Sequence, residues 1–131
     1  MSDQREVFRA VKGLLEKSSA GLRPTPTVID SKAKGNKRQY HLYGKKDVSI
    51  VGRKPQPTYF AGVIEQKHFV GFYFMPIYSH LGEFDLADGT LKPFLKGKSC
   101  FNLKKLDALM KKELAQLIKQ GKKLYKSEGW I

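Results

Sequence analysis

The chain has 131 residues, with 25 Lys or Arg against 12 Asp or Glu and a net charge of +13. That length suits one domain able to bury a core without disulfide or metal staples. Apolar residues at 40%, eight Phe and six Tyr among them, exclude a wholly disordered chain, and no apolar run nears the roughly 20 residues of a membrane span.

Val7, Val11, Leu14 and Leu15 recur at helical spacing behind Ser2 and Asp3, whose side-chain oxygens can accept from the first free amides. A helix is therefore expected from Asp3 to Lys17. Asp3, Glu6 and Glu16 interrupt the basic residues of this stretch, which suits neither a secretory leader nor an acid-poor transit peptide. With a single cysteine that cannot close an internal disulfide, the expected location is cytoplasmic. Ser18, Ser19 and Gly21 end the helix. Pro24 and Pro26 stiffen an extended entry into a strand at "TVID", and "SKAKGNKR" reads as a basic turn.

"RQYHLYG" has the period of a strand, with Tyr40 and Leu42 on one face and His41 and Tyr43 on the other. "DVSIVG" extends or repeats it, and the two prolines of "RKPQP" make a rigid loop. "TYFAGVIEQKHFVGFYFMP" reads as a hairpin divided near Gln66 and Lys67. A two-residue loop there sets Tyr59 opposite Phe74, Ala61 opposite Phe72 and Val63 opposite Val70 on a core face. The same register sets Gly62 opposite Gly71 on the other face, between the pairs Phe60 with Tyr73 and Ile64 with Phe69. Two absent side chains between aromatic pairs leave a groove, either for a closely packed element or for a small ligand.

"IYSHLGEFDLADGTLKPFLKG" is broken by Gly, Pro and Asp and holds at most short helical turns, and "KSCFNLK" is a last strand. Leu106, Met110, Leu114, Leu117, Ile118, Gly121 and Tyr125 then form one stripe of a helix capped by Asp107 and ended near Gly129. The expected fold is a single α+β domain over residues 1–131, with a mainly antiparallel sheet of about five strands and terminal helices on one face.

The charge is segregated. Residues 30–58 carry eight Lys or Arg against two Asp, and residues 92–127 carry eleven Lys against Asp107 and Glu113. The last helix also carries lysines at its start, where the helix dipole disfavours them. Lys104, Lys105, Lys111, Lys112, Lys119, Lys122 and Lys123 are the candidate anion-binding residues, for a nucleic acid or an acidic protein. The bland alternative is a solvated lysine face.

Cys100 sits among Lys98, Asn102 and Lys104 on one side of its strand, where ammonium groups would favour a thiolate. A catalytic thiol also needs a base and an oxyanion site, and His41, His68 and His80 show no signature that supplies one. No Gly-rich phosphate loop, nucleophile elbow or zinc motif occurs. A non-enzymatic domain without a cofactor is the expectation. Glu83, Asp85 and Asp88 form the one local acidic cluster, a weak candidate for a metal ion that does not fit the calcium-loop pattern.

The stretches "YFAGVIEQKHFVGFYFMPIY", "GKSCFNLKKLD" and "GKKLYKSEGWI" resemble the YdhG-like family of small bacterial domains of unknown function, over roughly residue 22 to the C-terminus. The resemblance implies an α+β fold like that of frataxin, and for some members an iron-chaperone role using acids on the first helix and an adjoining strand. This sequence departs from that pattern. Its first helix interleaves Asp3, Glu6 and Glu16 with Arg5, Arg9, Lys12 and Lys17, so the family's iron site is not carried over. Metal handling through Glu83, Asp85 and Asp88 stands as the alternative to anion binding.

Overall fold

Val7, Phe8, Val11 and Leu15 line one side of helix α1 (Gln4–Lys17) and are buried, a spacing that requires an apolar surface opposite. In the computed structural model, which describes residues 4–25, 38–49, 54–80, 84, 91–97 and 99–131, that surface is one face of an antiparallel sheet. Its strands are β1 (Leu22–Thr25), β2 (Gln39–Val48), β3 (Gln56–Glu65), β4 (Val70–Phe74), β5 (Leu95–Lys96) and β6 (Cys100–Leu103). They run in the order β1-β2-β3-β4-β6-β5. A short helix α2 (Met75–Ser79) follows β4, a 3-10 turn (Lys92–Phe94) precedes β5, and helix α3 (Ala108–Ser127) follows β6.

Among the described residues the sheet has six strands rather than about five. Strand β1 falls in the extended entry expected ahead of "TVID", and β5 has two residues, too few to leave an alternation in the sequence. Pro24 lies inside β1, which occupies the end of the sheet order, the position where a strand tolerates a missing amide donor. The strand expected in "TVID" lies outside the described residues.

Two corrections concern the central hairpin. Its loop is the four residues Gln66 to Phe69, closed by the Gln66 amide donating to the Phe69 carbonyl at 2.9 Å. The register is therefore displaced by two: Ala61 pairs with Phe74, Gly62 with Tyr73, Val63 with Phe72 and Ile64 with Gly71. Gln-Lys lacks the left-handed preference of a tight type I′ turn, and the longer loop follows. A shift of two preserves the faces, so Ala61, Val63, Val70, Phe72 and Phe74 remain in the core.

The second correction is a β-bulge. Leu42 pairs with Ala61 but Tyr43 pairs with Tyr59, leaving Phe60 as the extra residue. Phe60 and Ala61 are both in the core cluster, and Tyr59 lies against His41 and Tyr43 on the opposite face. Phe60 meets Phe74 and Tyr125 edge-on, with ring centroids 5.8 and 5.3 Å apart.

Helix α3 buries Met110, Leu114, Leu117, Ile118, Gly121 and Tyr125 on the same sheet face as α1. Each large apolar side chain removed from water contributes about 1.5–3 kcal/mol. The Tyr125 hydroxyl donates to the Tyr59 carbonyl at 2.8 Å and pins the end of α3 to β3. At the other end, Asp107 Oδ1 accepts from the Met110 amide at 2.9 Å. Asp107→Ala is expected to cost about 1 kcal/mol, seen as a lower urea midpoint with an unchanged m-value. Among the described residues, no helix is long and apolar enough to cross a membrane.

Candidate functional site

The six lysines of α3 are Lys111, Lys112, Lys119, Lys122, Lys123 and Lys126. At about 100° per residue they all fall within an arc of roughly 120° on one flank of the buried stripe. The opposite flank carries Leu109, Glu113, Gln116, Gln120 and Leu124. Lys111, Lys112, Lys119, Lys123 and Lys126 are exposed, as are Lys104 and Lys105 on the approach to the helix. Lys122 is partly buried, and its Nζ donates to the Ala20 carbonyl at 2.9 Å. Burial first, then the neighbouring Lys126, pull its ammonium below the usual lysine range. The ion pairs Arg38–Glu65 and His80–Glu128 take no lysine from this flank.

A different surface lies on the sheet face opposite the helices. A cleft of about 410 Å³ is lined by His41, Tyr59, Ile64, Tyr73, Phe74, Met75 and Ser99. Of the six residues expected to form a groove, only Ile64 and Tyr73 line it. Phe60 is in the core through the bulge, and Phe69 belongs to the hairpin loop. Gly62 and Gly71 do not face each other.

The bare glycines are instead covered by rings. A methyl group at Gly62 would collide with Tyr59 Oη and His41 Nδ1, and one at Gly71 would lie 2.7 Å from Tyr73 Oη. The missing side chains therefore let two hydrogen-bonded groups lie close to the sheet. In the first, His41 Nδ1 meets Tyr59 Oη at 2.8 Å and Nε2 meets Gln39 Oε1 at 3.0 Å. Oε1 can only accept, so Nε2 carries the proton and Nδ1 accepts from the tyrosine. His41 is 1% exposed, and burial lowers its pKa to about 4, so the ring is neutral at pH 7. In the second, Gln66 Nε2 donates to Tyr73 Oη at 3.2 Å, and Cys100 Sγ donates to Asn102 Oδ1 at 3.3 Å.

Burial, the larger effect, raises the Cys100 pKa against the opposing Tyr73 hydrogen bond, the direction opposite to the thiolate that neighbouring ammonium groups would favour. Both nitrogens of His41 are occupied by neighbours. Glu83, Asp85 and Asp88 lie outside the described residues. Among those described, no group of three or more His, Cys, Asp or Glu could hold a metal ion.

The alternation of β2 separated His41 from Tyr40 and Leu42, without showing which face lies outward. Tyr59 was not, because the bulge that turns it outward has no local sequence signal. Met75 and Ser99 come to the cleft only through tertiary packing. No family model, no curated protein and no solved structure matches the chain.

Proposed function

We propose that the chain is a cytoplasmic, non-enzymatic binding domain of YdhG-like type, with a frataxin-like arrangement, that engages nucleic-acid phosphates through the lysine flank of α3. The observation that supports it is the confinement of all six α3 lysines to one arc while the other flank holds Glu113, Gln116 and Gln120. A helix of 20 residues is about 30 Å long, enough to run beside several successive phosphates. Release of their counterions would drive association without sequence preference.

The test is Lys112→Glu, Lys119→Glu and Lys123→Glu combined, a set that leaves the Lys122 hydrogen bond in place. Affinity for a labelled DNA duplex at low salt is expected to fall at least about tenfold, with thermal unfolding unchanged. The matched control reverses Lys45, Lys46 and Lys54, which are exposed outside the flank. A comparable loss in both triple variants would assign binding to net charge and end the α3 assignment. Preference for an acidic protein over DNA would replace the partner.

A further inference from the structure

We propose that the cleft on the outer sheet face binds a small, flat, mostly apolar molecule of about two fused rings that carries an N–H or O–H donor. Its volume of about 410 Å³ falls within the ~300–1,000 Å³ range of small-molecule sites. The walls set the ligand's character. Ile64 and Met75 offer apolar surface, and Tyr59 and Tyr73 offer aromatic rings suited to stacking.

The polar groups set its hydrogen-bonding sense. Gln39 accepts from His41 Nε2, so His41 Nδ1 accepts the hydrogen bond that Tyr59 Oη donates. The Tyr59 hydroxyl has thus committed its donor and keeps oxygen lone pairs, and Tyr59 lines the cleft. Tyr73 Oη already accepts from Gln66 and is hydrogen-bonded to the Cys100 thiol. Tyr59 is therefore the hydroxyl left to receive a ligand's donor. A ligand offering only an acceptor gains nothing from it, because the one hydroxyl proton there is already donated to the histidine.

This site is distinct from the lysine flank of α3, and the two can fail separately. The test titrates indole, which has one N–H, and 1-benzothiophene, which has its shape without a donor, into the full chain. Ring-proton shifts of Tyr59 and Tyr73 follow binding, and the imidazole nitrogen shifts of His41 report which nitrogen is protonated. Indole is expected to saturate and to bind about tenfold more tightly than 1-benzothiophene, a preference that Tyr59→Phe removes. Ser99→Phe, which fills the cleft, is expected to abolish both while leaving oligonucleotide affinity unchanged. Ile64→Arg, placing a charge in the apolar wall, is a second block should Ser99→Phe fold poorly. Equal affinity for the two probes, no saturable shift for either, or shifts that persist in a folded blocked variant would overturn the assignment.

Discussion

Gly62→Ala is expected to cost about 3 kcal/mol of stability, while Gly13→Ala raises stability by about 0.5–1 kcal/mol. At Gly62 the new methyl group would occupy the space of Tyr59 Oη and His41 Nδ1. The imidazole is 1% exposed, and Tyr43 packs edge-on against the Tyr59 ring at 5.2 Å. Neither ring can withdraw without breaking the hydrogen bond between them. Overpacking costs about 1–3 kcal/mol, and stripping a buried polar group of its partner costs a similar amount. The reduced freedom of the unfolded chain returns somewhat less than 1 kcal/mol. Gly13 lies inside α1 with nothing within 4 Å of an added methyl, so only the helix preference for alanine acts there. Urea titration of both variants decides the matter. Equal and small changes would mean that the Tyr59–His41 pair is not held against the sheet.

Acidification from pH 7 to pH 4 is expected to remove about 3 kcal/mol of stability through His41 alone. Its pKa falls from 6.5 to about 4 in the fold because burial disfavours the imidazolium, and each unit is worth about 1.4 kcal/mol. Below pH 6.5 the unfolded chain takes up a proton at His41 that the native ring refuses. The contribution is therefore complete above about pH 6.5, shrinks as pH falls, and is gone below about pH 4. Carboxylates also titrate in this window, so the informative comparison is with His41→Gln. That variant should show a pH dependence shallower by about 3 kcal/mol between pH 7 and pH 4. An identical dependence in the two proteins would place His41 in contact with water.

The parts of the fold that sequence revealed were those governed by local repetition. The stripes of α1 and α3 lie at helical spacing, and Asp107 caps α3 as its sequence position suggests. The alternation in "RQYHLYG" put Tyr40 and Leu42 on one face and His41 and Tyr43 on the other, and the first pair is the one that meets the core. The hairpin core survived an error in loop length because the error was an even number of residues. The bulge at Phe60 was invisible, since it depends on how β2 and β3 pair rather than on either sequence alone. That hidden feature decided the cleft: it removed Phe60 from the outer face and brought Tyr59 to it. The lysine flank, Lys126 included, was legible from the spacing of the lysines against the apolar stripe of α3.

The most direct measurement is the affinity of the unmodified chain for labelled duplex DNA, followed by anisotropy across a salt series. Four or more phosphates engaged by the α3 flank predict a log–log slope of about −3.6 or steeper, at about 0.9 per phosphate. No binding at low salt, or a slope near zero, would contradict the anion-binding account and leave the charge of +13 as a property of the surface.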